Sequence, residues 1–519
     1  MANPDLILFN GTIFTRPDSR ARTEAVAVWN GRVTDVGRDR DVLRLRARSV
    51  KTLDLRQRVV IPGLSDSHVH LLGYGKFLRT LDLTRTRSVQ QLHRVVAKAA
   101  KRLPKKAWVT GRGWDQENLK EHRFLNRQDL ATFTSHPVFL RRICGHVAVA
   151  NDLALSLARI SRETRDPEGG EIARDPLSGE PTGLLKESAV ELVERSIPET
   201  DSNIKESLIY AAQRLLRLGL TSLHCIVENS AELKILHSLK NEGKIKQSIY
   251  AILPLGLLDQ VSAMGLTGDR RAGEFRTGAF KVYLDGSLGA RTAALSEPYS
   301  DDPSNVGMLR LDFDQIIDAI EKASSSGFQL CAHAIGDRAV EAAVSAFEKT
   351  LSPAESRPLR HRIEHCSLTR LSLIRRMRRA GLVASVQPPF IYSDSWASER
   401  LGSRRVGSLY PFRSMLRAGL NVAFGSDCPA DNPNPFKGLW AAAARPGSTP
   451  SQRLSVSAGL ACYTYGSAFA SFSEGETGTL EPGKRADMVL LDRDPFTCGL
   501  NALRNTRVIE TVVNGRIQP

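Results

Sequence analysis

Through the middle of the chain, eight short apolar runs alternate with longer stretches of helical periodicity. The runs lie at residues 59–64, 221–226, 248–253, 279–284, 328–333, 361–365, 382–387 and 421–427. Several of the intervening stretches end at glycine, as at 211–219, 316–327 and 371–381, where a helix commonly closes. Apolar strands joined by helices pair in parallel and are covered on both faces. Eight of them predict an α/β fold of the (β/α)8 TIM-barrel type. A doubly wound open sheet is the alternative, but no Gly-x-Gly-x-x-Gly turn follows any of the runs.

The two ends of the chain read differently. Residues 6–11 and 25–31 each run from apolar strand into Asn-Gly, a tight-turn dipeptide, and the C-terminal runs 486–492 and 508–515 repeat the style. Neither end has enough strands to bury a sheet alone, so a small β-sandwich built jointly by residues 1–60 and 476–519 is expected, with the barrel at 61–475 between them. A gap of about 75–205 separates the first two barrel strands, far more than one crossover helix needs. Loops after barrel strands carry specificity, so this insertion is expected to cover the active-site mouth.

The formal charge of +16 over 519 residues is carried by arginines spread along the chain, and clusters such as 375–379 read as exposed helix faces. A nucleic-acid reader concentrates its charge in a stripe, so no nucleic-acid partner is expected; an anionic substrate or a habitat effect remains compatible. No run has the length of a membrane span, and the N-terminus lacks the basic and apolar regions of a secretory signal. Seven scattered cysteines without a Cys-x-x-Cys pair fit a reducing cytoplasm. Cys331, Cys366 and Cys428, near the chemistry-bearing positions below, read as small packing residues. The expected partner is a small-molecule substrate, and a homodimer is compatible.

His68-Val69-His70 closes the first run. In an extended segment residues i and i+2 share a face, and imidazole is a frequent ligand of divalent metals. Later runs end in the same kind of residue: His333 ends the fifth, His365 the sixth and Asp427 the eighth, while Lys281 lies in the fourth. Each has a plain alternative, with Lys281 a buried salt-bridge partner, His333 a satisfied core histidine and Asp427 a turn cap. Their joint placement at strand C-termini, in a chain of eleven histidines, favours a metal site on the face where barrel enzymes work.

With these residues in place, the sequence resembles the amidohydrolase superfamily, and within it amidohydrolase family 3, the branch of YtcJ-like hydrolases and N-substituted formamide deformylase. The resemblance runs over nearly the whole chain. It is carried by Pro62-Gly-Leu-Ser-Asp-Ser-His-Val-His, Leu140-Arg-Arg-Ile-Cys-Gly-His, Gly179-Glu-Pro-Thr-Gly and Lys281-Val-Tyr-Leu-Asp-Gly-Ser. Further on come Ala332-His-Ala-Ile-Gly-Asp, Arg362-Ile-Glu-His, Phe424-Gly-Ser-Asp and Gly478-Thr-Leu-Glu-Pro-Gly-Lys. The resemblance implies two divalent metal ions, with zinc foremost. His68 and His70 would hold the more buried ion and His333 and His365 the other. A carboxylated Lys281 would bridge them, and Asp427 would bind a metal and move protons.

Physical chemistry agrees with these roles. A buried lysine loses its charge readily, and its carbamate is a carboxylate-like ligand. Metal ions make hydroxide available near neutral pH and polarise a carbonyl. The implied reaction is hydrolysis of a C–N bond in an amide, N-formyl or cyclic amide substrate. The alternatives are a mononuclear deaminase-type relative, which needs no bridging lysine, and a metal-binding relative without activity. Trp114, His146, Arg291 and Gln387 are the substrate-side residues. The resemblance favours His146 and Gln387, with loop stabilisation as the alternative for each, and a salt bridge to Asp285 or Glu297 is the alternative for Arg291.

Overall fold

The computed structural model describes residues 4–18, 22–263, 273–447 and 449–518. Its centre is an eight-stranded parallel sheet whose spatial order follows the chain: β1 (Leu64–Val69), β2 (Leu220–Ile226), β3 (Ser248–Pro254), β4 (Phe275–Tyr283), β5 (Gln329–Ala334), β6 (Arg362–His365), β7 (Val383–Val386) and β8 (Asn421–Phe424). The sheet closes on itself just beyond the strand ends. Asp427 N–H donates to the His68 carbonyl (2.8 Å), His70 N–H donates to the Cys428 carbonyl (2.9 Å), and Val69 bridges Cys428 in parallel. The fold is therefore the expected barrel, with helices such as Phe313–Ser325, Asp337–Thr350 and Leu371–Arg379 in the crossovers.

The helix ends follow from sequence. Asp312 accepts from the Gln315 backbone N–H while the Gln315 side chain accepts from the Asp312 N–H, a reciprocal cap on Phe313–Ser325. Leu371–Arg379 buries Leu373, Ile374 and Met377 and turns Arg375, Arg378 and Arg379 outward, so the basic cluster is a solvated helix face as read.

The chain ends share one layer. Val59–Pro62 pairs antiparallel with Met488–Leu491, which pairs with Val508–Val513. A second sheet holds Leu6–Phe9, Ala25–Trp29, Arg32–Gly37 and Lys51–Asp54. Leu6, Leu8, Val26 and Val28 pack with Met488, Leu490 and Val512 between the sheets. Residues 59–64, expected as the first barrel strand, are thus divided: Val59–Pro62 belongs to the terminal layer and the barrel strand begins at Leu64. The break falls at Gly63, where a Cβ would lie 2.3 Å from Thr221 Oγ1, so the chain turns only without a side chain.

Residues 75–207 form a compact unit of their own around a six-stranded sheet. Its core includes Trp114, Leu130, Val138, Leu140 and Val149. Among the described residues, no helix is long and apolar enough to cross a membrane.

Candidate active site at the strand C-termini

The inward side chains at the C-terminal end of the barrel converge. Ligand atoms of His68, His365 and Asp427 lie within 4.8 Å of one another. His70 Nε2 is 3.3 Å from Asp427 Oδ1, and His68 Nε2 is 3.4 Å from the same oxygen. Lys281 Nζ, from β4, sits 3.0 Å from His68 Nε2. The rings of His333 and His365 meet edge to face with centroids 4.4 Å apart. All six sequence-predicted ligands therefore belong to one cluster.

Each of three imidazoles has one nitrogen committed away from that cluster. His68 Nδ1 donates to Glu364 (2.5 Å), His365 Nδ1 donates to the Gln387 side-chain oxygen (2.8 Å), and His333 Nε2 donates to the Gly286 carbonyl (3.0 Å). An acceptor on one nitrogen fixes the tautomer and leaves a lone pair on the other. The lone pairs are then His68 Nε2, His365 Nε2 and His333 Nδ1. Burial also holds these imidazoles below the usual histidine range, His333 down to about 4, so they are neutral near pH 7. Neutral imidazoles of fixed tautomer beside a carboxylate suit a divalent metal ion.

Burial likewise lowers the Lys281 amine from its ordinary range. The side chain is 4% exposed, and its ammonium form would be poorly solvated there. His365 (φ 73°) and Asp427 (φ 56°) both hold left-handed backbone, a conformation that costs a non-glycine residue about 1–2 kcal/mol. Such strain concentrates where side chains must be aimed.

Beneath the cluster lies a buried polar layer that sequence reading did not assign. Glu364 Oε1 forms an ion pair with Arg362 Nε at 2.8 Å; Arg362 donates to the Ser67 carbonyl (2.6 Å), Ser385 Oγ (2.8 Å) and His224 Nδ1 (3.1 Å). Burial alone would raise the Glu364 carboxyl, but the Arg362 guanidinium and His68 hold it well below the usual carboxylate range. Asp66, pushed up to about 7 by burial, accepts from Ser426 N–H (2.9 Å) and Ser426 Oγ (2.6 Å) and so ties β1 to the segment after β8. The signal was present: Arg362 and Glu364 alternate within a run that a barrel buries on both faces, and such charges require partners.

The substrate-side expectations fare unevenly. Gln387 is buried and its side-chain oxygen is occupied by His365, so it orients that imidazole. Trp114 is enclosed in the core of the 75–207 unit, donating its indole N–H to the Leu140 carbonyl (2.9 Å); this packing role replaces the expected substrate contact. His146 is exposed in that same unit with Nδ1 3.0 Å from Glu187. Arg291 makes a two-pronged ion pair with Asp301 (2.7 and 3.3 Å), where Asp285 or Glu297 was the expected partner. Asp285 instead accepts backbone N–H groups of Ala294, Ile335 and Gly336, and Glu297 pairs with Arg404.

Comparison with known proteins agrees with the geometry. Residues 51–518 match the model of the amidohydrolase family. The YtcJ protein of Bacillus subtilis (strain 168) is 32% identical, with 98% of each chain covered. N-substituted formamide deformylase of Arthrobacter pascens is 27% identical over 98% of this chain and 97% of its own. A crystal structure of an uncharacterized metal-dependent hydrolase from Pyrococcus furiosus superposes with a TM-score of 0.83 at 33% identity, covering 95% of this chain and all of that one. Barrel, ligand cluster and relatives lead to one conclusion: this chain is a metal-dependent hydrolase and belongs to the amidohydrolase family.

Proposed function

We propose that the enzyme hydrolyses a C–N bond in a small amide, N-formyl or cyclic amide, using two divalent ions, zinc foremost. His68 and His70 would hold one ion and His333 and His365 the other, with Asp427 and a carboxylated Lys281 completing the set. The observation that carries this reading is the convergence of committed imidazoles around Asp427, each with its lone pair left for an ion. When bound, the ions supply an activated water and polarise the scissile carbonyl.

The chain's own residues do the rest. Neutral Lys281 Nζ adds to carbon dioxide, forming an N–C bond and releasing one proton, and so replaces a potential cation by an anion at the centre of the cluster. Asp427 Oδ1, between His68 and His70, takes the proton of the attacking water and delivers it to the leaving nitrogen. The deformylase relative supports the choice of C–N bond. His146 remains a proposed pocket residue.

The test is a metal count per chain on zinc-reconstituted enzyme, followed by a screen of N-formyl amines, N-acyl amino acids and cyclic amides. Two ions and turnover of one class are expected. A fully loaded, active preparation with one ion overturns the binuclear part. Two ions with turnover confined to esters overturns the choice of bond.

A further inference from the structure

Three ligand histidines lean on three different acceptors. Behind His68 is a carboxylate, Glu364, at 2.5 Å; behind His365 is the neutral amide of Gln387 at 2.8 Å; behind His333 is a backbone carbonyl at 3.0 Å, with the Asp285 carboxylate, which accepts three backbone N–H groups, farther off at 3.5 Å. A carboxylate acceptor puts more electron density on the ring than an amide or carbonyl does, and so makes the opposite nitrogen the stronger donor to a cation. Glu364 is held as that acceptor by construction. Its other oxygen is paired by charge with Arg362 Nε at 2.8 Å, and Arg362 is fixed by Ser67, Ser385 and His224, all of them buried. An isolated carboxylate at this depth would be too costly to keep. The Arg362 layer therefore serves to keep a charge behind one particular histidine.

We propose that Glu364 and Gln387 grade the two metal positions: the buried carboxylate makes the His68/His70 position the tight one, and the amide behind His365 leaves the His333/His365 position exchangeable. Both are positioning residues, acting through the imidazole that each touches. The inference rests on the binuclear reading above. It adds that the two ions differ in lability, and it names the side chains that set the difference.

The experiment is stepwise removal of Zn2+ from the reconstituted full chain by a competing chelator, with bound metal measured at each step and folding followed by circular dichroism. Wild type should lose one ion well before the other. Glu364→Gln should weaken the retained ion by about 10- to 100-fold and leave the early one unchanged. Gln387→Glu, which puts a carboxylate behind His365, should delay release of the early ion and leave the late one unchanged. If Glu364→Gln leaves Arg362 without its partner and fails to fold, Gln387→Glu decides alone. Simultaneous loss of both ions from wild type overturns the proposal, as does a Gln387→Glu release curve that overlays wild type. A wild-type chain that loads a single ion overturns the binuclear reading instead, so the two failures are distinct.

Discussion

At the scale of single residues, the ligand set turns on how Lys281 differs from its neighbours. Histidine and aspartate bind a metal as they stand, whereas lysine must first lose a proton and then gain an acidic group. Its burial favours the uncharged amine that reacts with carbon dioxide. Lys281→Ala should lose at least one metal and nearly all turnover, with partial recovery in a short carboxylic acid that fills the vacated space. Metal content checks this, and two ions retained in Lys281→Ala would remove the bridging role. Asp427→Asn keeps size and an acceptor oxygen but loses the base, so kcat should fall by about 10²- to 10⁴-fold with the melting temperature close to wild type. The six clustered residues were legible in the sequence because each is a chemically unusual residue within or just after an apolar run. Glu364, Arg362 and Gln387 were harder to assign, since their roles depend on which strand faces which. His68 and Glu364 are 296 residues apart, and barrel closure, not local spacing, brings them together.

Among the elements, the alternation of runs and helices was enough to specify eight parallel strands and their order, because period and strand length are local properties. The start of the first strand was not legible. Residues 59–62 and 64–69 are both buried and extended, and their partners, Met488–Leu491 on one side and β2 on the other, set them apart. Where β8 meets β1 the packing is tight. A Cβ on Gly425 would lie 2.6 Å from the His68 backbone nitrogen and 3.0 Å from Asp66 Oδ1. The neighbours cannot yield without moving a ligand strand or breaking the tie from Asp66 to Ser426. Gly425→Ala should therefore destabilise the fold by about 1–3 kcal/mol, as overpacking does, and weaken metal binding with it. Thermal melting and metal content measure the two effects. A wild-type value for both would show that the β8–β1 seam carries no constraint on His68.

Over the whole molecule, burying this many titratable groups makes stability depend on pH in a way that can be signed. His68, His224, His333 and His365 are all held below the ordinary histidine range, chiefly by burial. The unfolded chain takes up protons on them as pH falls through about 6.5, while the folded chain does not. Stability from these groups is therefore fully present above that pH and declines below it. Asp66, Asp285 and Asp394 act in the opposite sense: burial pushes the first two up to about 7 and Asp394 up to about 6, so the folded state binds their protons first on acidification. Four imidazoles against three carboxyls leave the unfolded state binding more protons between about pH 6.5 and 5, a window above the ordinary carboxylate range. Metal-free protein should thus melt at progressively lower temperature from pH 7 to pH 5. Under the proposed assignment zinc would require His68, His333 and His365 neutral and would bind the folded state, so the loaded protein should melt higher than the metal-free form, and protons should displace that advantage as pH falls. Melting curves of both forms across the window provide the check. A metal-free melting temperature that rises toward pH 5 would mean that the three buried carboxyls outweigh the four histidines.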